Sequence, residues 1–254
     1  MSGRIPSIER AAAVLRLLTG RSRRRGVADL AYEMNLPKGT VYGILRTLMA
    51  VGFVEQDSDS RKYQLGAALL PIGSSYLDGN ELRRRAVSWA DALATQTAAG
   101  VRVGTVHEHR VLIVHHALGP GNGLETPEVG SLMPLHATAL GKALLAHHRD
   151  LVGELVSRGL AGYTSATLTD RHRLAAELAA VADRGWAGDV AEFLPGVASI
   201  AAPVRDHART VVGAIAVSGP VERICESGSP RLDLAGHIIH SASGLSRELG
   251  GGSW

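Results

Sequence analysis

The chain has 254 residues, 45% of them hydrophobic and 20% charged, with a formal net charge of +3. That length suits one small and one medium domain, each able to bury a core. No apolar run approaches the ~20 residues that span a bilayer, the first residues lack a signal-peptide hydrophobic region, and the single Cys225 excludes an internal disulfide and fits a reducing cytoplasm. The charge is unevenly placed. Residues 1–65 hold eleven Lys+Arg against six Asp+Glu, a net +5, whereas the remainder holds 16 against 18, a net −2. Positive charge gathered at one end is what phosphate binding requires. Only Lys38, Lys62 and Lys142 are lysines, so part of the arginine excess reflects coding bias.

Ser7, after Pro6, is placed to cap a helix carrying Ile8, Ala11, Ala12, Leu15 and Leu18 on one side. Arg21, Arg23, Arg24 and Arg25 follow, read either as a solvated loop or as contacts to a nucleic-acid backbone. Residues 28–34 set Leu30, Ala31 and Met34 at helical spacing, with Asp29 and Glu33 facing out. Asn35 fits a left-handed terminator, and Leu36-Pro37 opens the next helix. Over residues 38–50 the apolar stripe is Val41, Ile44, Leu45 and Leu48, and the opposite face carries Gly39, Tyr42, Gly43, Arg46 and Thr47. A helical glycine costs roughly 1 kcal/mol relative to alanine. Gly43 on the open face therefore implies close approach of something bulky, such as a groove wall.

Gly52 ends this helix, and residues 53–56 and 62–65 pair as strands across the turn 57–60, with Arg61 and Lys62 just past it. Helix, turn, helix and basic hairpin in that order place one helix in a DNA groove and the hairpin on flanking phosphates. Helix-turn-helix units also serve as plain structural corners; the basic hairpin and the capped helix ahead of the motif favour DNA. The candidate groove residues are Lys38, Gly39, Thr40, Tyr42, Gly43 and Arg46, and the candidate phosphate contacts are Arg61 and Lys62.

A second helical tract, residues 67–77, is broken by Asp78-Gly79-Asn80. A long helix follows with Leu82, Ala86, Trp89 and Leu93 in line and Arg83, Arg84 and Arg85 on its open side. The expected organisation is a DNA-binding domain over residues 1–66, a helical linker over 67–80 and a second, α+β domain over 81–254. Within the latter, residues 101–106 and 111–114 form a hairpin around His107-Glu108-His109-Arg110. Gly119-Pro120-Gly121-Asn122-Gly123 begins a long, mobile loop, and residues 136–147 form a turn entering a helix. Thr169 caps a helix over 170–184 closed by Gly185, residues 197–204 and 211–217 are buried strands, and a terminal helix spans 231–249. His107, His109, His115 and His116 cluster in sequence, but without cysteine or helical His-Glu-x-x-His spacing they are assigned no metal. Ser199 and Ser218 lack a Gly-x-Ser-x-Gly elbow and no carboxylates pair at meaningful spacing, so no catalytic residue or cofactor is assigned.

Several of these segments together resemble the IclR family of bacterial transcription regulators over nearly the whole chain. They are Leu36-Pro37-Lys38-Gly39-Thr40-Val41-Tyr42, Tyr63-Gln64-Leu65-Gly66, Pro134-Leu135-His136-Ala137-Thr138-Ala139-Leu140-Gly141-Lys142, Arg184-Gly185-Trp186-Ala187-Gly188-Asp189, residues 195–203 and residues 216–220. Within the family, residues 44–48, 52–57, 75–78 and 111–116 look like the glycerol-operon regulators of actinomycetes. The resemblance implies a winged helix-turn-helix joined by a helix to a GAF/profilin-like effector domain. It further implies dimers pairing through the N-terminal domains, often as tetramers, on double-stranded operator DNA. It implies an effector pocket at Ala139, Leu140, Asp189, Ser199 and Ser218. Serine hydroxyls there can donate to an oxygen-rich ligand, Asp189 can accept from its hydroxyls, and Ala139-Leu140 can offer backbone N–H groups.

The chain also departs from family members that bind small keto acids. Ala216 stands where a second serine is common, and Leu140 is bulkier than the usual alanine, so a different ligand is expected, with glycerol 3-phosphate suggested by the glycerol-operon resemblance. Lys142, Arg102 and Arg205 are unranked cation candidates for its phosphate, Lys142 being favoured as a solvated helix residue. Glu192 and Phe193 either line the pocket or close it. The function implied is a ligand-responsive repressor of a catabolic operon in the cytoplasm. The alternatives are regulation by another oxygenated metabolite, or a DNA-bound scaffold that answers to a protein partner.

Overall fold

The computed structural model describes residues 3–19, 24–119 and 129–250. Arg21, Arg23 and residues 120–123 of the anticipated loop lie outside these. The chain divides into two compact units, residues 1–79 and 80–254.

In the first unit, α1 (Pro6–Leu18), α2 (Val27–Glu33) and α3 (Lys38–Ala50) precede an antiparallel pair, β1 (Val54–Gln56) and β2 (Tyr63–Leu65), and then α4 (Leu69–Gly79). Pro6 is the first residue of α1 and Ile5 its cap, so Ser7 lies inside the first turn and makes no cap bond. The fixed φ and missing N–H of proline favour that first position. The buried side of α1 is set by Val14 and Leu18, with Ala11, Leu15 and Leu17 against them, while Ile8 is exposed. Asn35 has φ +50, which stops α2 and aims the chain into α3. Val41, Leu45 and Leu48 are buried with Leu30, Val54 and Tyr63 in one small core. Gly52, at φ +73, turns the chain out of α3, and Gly66 rests on it so closely that a Cβ would lie 2.2 Å from the Gly52 carbonyl oxygen. α4 has no buried residue, and Leu70, Ile72 and Tyr76 on it are exposed.

The second unit begins with α5 (Glu81–Thr97), capped by the Asn80 side chain, which accepts from the Arg83 N–H at 2.9 Å. Its sheet has six antiparallel strands in the order β5-β4-β3-β8-β7-β6. These are β3 (Gly100–His107), β4 (Arg110–Ala117), β5 (Leu132–Pro134), β6 (Ala187–Val190), β7 (Val197–Arg205) and β8 (Val211–Pro220). α6 (Ala139–Leu145), α7 (Arg149–Arg158) and α8 (Arg171–Arg184) connect β5 to β6. A short α9 (Val221–Ile224) and the pair β9 (Cys225–Glu226) and β10 (Ser229–Pro230) lead to α10 (Leu232–Glu248). α8 is capped by Asp170 rather than Thr169, the Asp170 carboxylate accepting from the N–H groups of His172 and Arg173 at 2.9 Å each.

Strand alternation assigns the two faces. Val101, Val103, Ile200, Ile215 and Val217 point toward α5 and α10. Val111, Ile113, Ala201, Ala214 and Ala216 point toward α6, α7 and α8. The sheet is thus the middle of three layers, and a side chain on β3, β7 or β8 is committed to one helical layer by the parity of its position.

Replacing Gly66 with alanine should destabilise the first unit by ~1–3 kcal/mol, the usual effect of overpacking. The thermal midpoint, followed by circular dichroism, should fall by at least roughly 4 °C; an unchanged midpoint would show that the Gly52–Gly66 approach is not held tightly.

Candidate functional site

The DNA-facing candidates sit where α3 presents its polar side. Lys38, Gly39, Tyr42 and Arg46 are exposed, Tyr42 at 52%, while Thr40 and Gly43 are half-buried. A Cβ on Gly43 would meet nothing within 4 Å, so no contact among the described residues explains why a helix-weakening residue stands there. Arg61 and Lys62 are exposed, and Arg61 adopts φ +56 within the turn before β2. That turn is tied by Ser60 N–H to Asp57 Oδ1 at 2.8 Å and by Gln56 Nε2 to the Arg61 carbonyl at 2.8 Å.

Two other arginines are already engaged. Arg24 pairs with Asp57 at 2.9 Å and donates to Gln64 Oε1 at 3.0 Å. Arg25 is ion-paired with Glu33, and its backbone bridges to Tyr63. Their first role is to fasten the hairpin to the helices. Neither belongs with a free solvated loop.

In the second unit, register brings the effector candidates into one row. Asp189 on β6 pairs with Ser199 on β7, and Ser199 pairs with Ser218 on β8. Ser218 alternates with Val217 and therefore faces α6, as do Ala201 and Ala216, which oppose each other one step along. Ser199 Oγ donates to Asp189 Oδ2 at 3.3 Å, and the Glu192 N–H donates to Asp189 Oδ1 at 2.8 Å. Arg102 Nη1 donates to Ser218 Oγ.

Ala139 and Leu140 start α6, both buried, under a cap in which Thr138 Oγ1 accepts from the Gly141 N–H at 3.1 Å and donates to the Pro134 carbonyl at 2.8 Å. A Cβ on Gly141 would lie 2.1 Å from the Leu135 carbonyl oxygen. The segment from Pro134 to Lys142 is therefore a device for seating the start of α6 directly on backbone.

The structure ranks the three cations. Lys142 is 1% exposed, and its Nζ donates to Glu192 Oε1 at 2.6 Å, so it is a buried, neutralised residue and not a solvated one. Sequence reasoning missed this because the partner lies fifty positions away on another element. Arg205 is six residues beyond Ser199 on β7, ~20 Å along the strand, where it donates to the Arg209 carbonyl. Arg102 is 7% exposed, and among the described residues it has no carboxylate partner. Burial lowers its pKa to about 10. Glu192 closes the row by pairing with Lys142. Phe193 stacks edge-on against Tyr163, ring centroids 5.1 Å apart.

The histidines do not converge. His116 pairs with Arg102 and His115 with Val103, so the two point to opposite faces, and His109 contacts Glu154 at 3.5 Å. Among the described residues no group of three or more His, Cys, Asp or Glu side chains is arranged to hold a metal ion.

A DNA-reading fold in one unit and a polar row under α6 in the other coincide with two family matches. The family described as "IclR helix-turn-helix domain" matches residues 7–58, and the one described as "Bacterial transcriptional regulator IclR C-terminal" matches residues 74–247. The chain belongs to the IclR family of transcriptional regulators. It is 46% identical over 252 residues to the glycerol operon regulatory protein of Streptomyces griseus and 45% identical to that of Streptomyces coelicolor, covering 99% of each chain. The crystal structure of an IclR transcriptional regulator from Alicyclobacillus acidocaldarius superposes with a TM-score of 0.82 at 27% identity, covering 98% of this chain and 100% of that one. As in the rest of the family, the α+β architecture serves DNA-binding regulation rather than catalysis. No helix among the described residues is long and apolar enough to cross a membrane.

In this IclR-family chain, Asp189 is the titrating centre of the row. Burial pushes its carboxyl up to about 7, with the nearby Glu192 carboxylate adding to the rise, and the Glu192 N–H, Lys142 and Ser199 opposing it. The unfolded carboxyl ionises near 3.8. The folded state therefore holds a proton that the unfolded state releases, and the associated stability is lost as pH rises from 3.8 toward 7. Asp189→Asn carries no such titration. Its thermal midpoint should exceed that of the natural protein above pH 7, with the gap closing toward pH 4. A gap that does not depend on pH would remove the carboxyl from this role.

Proposed function

We propose that the protein is a cytoplasmic repressor that reads a pseudo-palindromic operator through α3 and the β1–β2 wing and is switched by a small oxygenated metabolite in the row beneath α6. The observation carrying the DNA half of this reading is the open face of α3. It is polar, it holds an unexplained Gly43, and it is flanked by Arg61 and Lys62 on a hairpin pinned by Arg24. Lys38, Gly39, Thr40, Tyr42, Gly43 and Arg46 lie against base edges and groove walls, and Arg61 and Lys62 lie on phosphates.

Two such units on a palindrome require a two-fold pair with recognition helices roughly 34 Å apart. The exposed Ile5 and Ile8 near the start of α1, and separately Leu70, Ile72 and Tyr76 on α4, are apolar side chains open to that pairing. A tetramer is then a pair of such dimers. Signal from the row reaches the reader through a covalent path that crosses one residue, Asn80, between α4 and α5. Coupling of this kind is typically ~1–3 kcal/mol.

The effector residues are Ala139, Leu140, Asp189, Ser199 and Ser218. The glycerol operon regulatory proteins of the two Streptomyces species support control of glycerol metabolism, with glycerol 3-phosphate as the effector. Footprinting on the DNA beside the gene tests the reading. Two protomers should protect two half-sites, and glycerol 3-phosphate should release them. Protection unaffected by glycerol 3-phosphate, glycerol or keto acids would instead favour a scaffold that senses no small molecule.

Two substitutions separate groove from phosphate contact. Gly43→Ala should raise the thermal midpoint, because alanine is the better helix former by roughly 1 kcal/mol, while weakening operator binding through a clash at the groove. Arg61→Ala should weaken binding to all DNA sequences alike and reduce the salt slope by about one. Selective loss at the operator alone would place Arg61 on bases.

A further inference from the structure

We propose that Arg102 is the anion anchor of the pocket, its guanidinium holding the carboxylate or phosphate of a short hydroxylated metabolite whose hydroxyls lie toward Ser199 and Asp189. The inference rests on the effector reading of the same row of residues.

The first support is an imbalance of charge. Lys142, also a buried cation facing this layer, is matched by Glu192 at 2.6 Å, whereas among the described residues the one hydrogen-bond partner of the Arg102 guanidinium is a neutral hydroxyl, that of Ser218. A buried cation without a counter-charge is costly to the fold unless something else neutralises it. A ligand anion does so, and the planar fork of arginine matches a carboxylate or phosphate in two-point contact.

The second support is unsatisfied bonding. Among the described residues, Arg102 Nε and His116 Nε2 are both buried and have no hydrogen-bond partner. Arg102 and His116 are direct cross-strand partners of β3 and β4, so their side chains leave the sheet on the same face. Two neighbouring nitrogens without partners mark one place where a ligand oxygen completes the bonding. Burial lowers the His116 pKa, and Arg102 lowers it further, so the ring is a neutral donor or acceptor there and not a second cation.

The third support is polarity along the row. Moving across the sheet, the order is Asp189, Ser199, Ser218 and then Arg102, so acceptor and cation stand at opposite ends. Asp189 and Ser218 are two strand spacings apart, ~10 Å at the backbone. With side chains reaching inward, that span suits a three- or four-carbon chain with an anion at one end. Ala201 and Ala216, facing each other beside Arg102, keep the floor low.

The experiment is calorimetric binding of glycerol 3-phosphate, glycerate and glycerol to the full-length protein and to Arg102→Met and Arg102→Lys. The natural protein should prefer an anion over glycerol, with the tighter of glycerol 3-phosphate and glycerate identifying the headgroup. Arg102→Met should cost that anion roughly 30-fold or more, leave glycerol binding unchanged, and so erase the preference. Arg102→Lys should recover part of it, because charge returns without the fork. Arg102→Met should also melt no lower than the natural protein when ligand-free, since it removes an unmatched buried charge. If either anion binds Arg102→Met as tightly as the natural protein, the anchor is wrong while the effector reading stands. If glycerol binds the natural protein as tightly as the anions, the anchor is also wrong. If none of the three binds the natural protein, the glycerol-type effector reading fails and takes the anchor with it.

Discussion

The pairing of β7 with both of its neighbours is the constraint on which the second unit depends. One strand register places Ser199 beside Asp189 on one side and beside Ser218 on the other. A slip of β7 by one residue would turn Ser199 toward α5 and α10, away from Asp189 and Ser218, and would take Ile200 out of the layer where Ile215 and Val217 pack. That apolar layer therefore enforces the polar one: the register that buries the valines and isoleucines is the register that assembles the row. The start of α6 is held to the same precision by another means, the backbone contact that only Gly141 permits.

Buried charge is handled in two ways within one layer. Lys142 and Glu192 neutralise each other, and the segment carrying Glu192 is held by the Thr167 hydroxyl, which donates to the Glu192 carbonyl at 2.6 Å, and by the Thr164 hydroxyl, which donates to the Ala191 carbonyl at 2.7 Å. Arg102 and Asp189 are not matched to each other. Instead, each shares a serine hydroxyl, and the carboxyl of Asp189 holds its proton up to about 7. A buried ion pair thus stands beside buried polar groups that have no counter-charge, and the latter are a local cost to the fold.

Much of the reader was legible because its signals are local. Asn35 and Gly52 at positive φ, the stripe Val41, Leu45 and Leu48, and the short basic hairpin all follow from spacing within a few residues. At two helix starts, two local rules compete. Pro6 took the first helical position and left Ser7 inside the helix, and Asp170 out-competed Thr169 as a cap because its carboxylate takes two N–H groups at once. Ile8 fell on the exposed side of α1, since the stripe begins at Ala11.

In the second unit the alternating strands and the long amphipathic helices could be read. The burial of Lys142 could not, because nothing near it in sequence announces Glu192. Val101 and Val103 pack toward α5 and α10, so Arg102 between them leaves the sheet on the opposite face. Only the layer built by α6, α7 and α8 turns that face into an interior.

α4 stands apart from the other helices of the first unit. It is an eleven-residue helix with no buried residue, and helices of that length are marginal in water when nothing packs on them. Its helicity thus draws little support from burial, and of the helices and strands of the first unit it is the one that local opening reaches at the least cost in free energy. Opening there lengthens the stretch of chain ahead of Asn80 while leaving the core of Val41, Leu45 and Leu48 untouched.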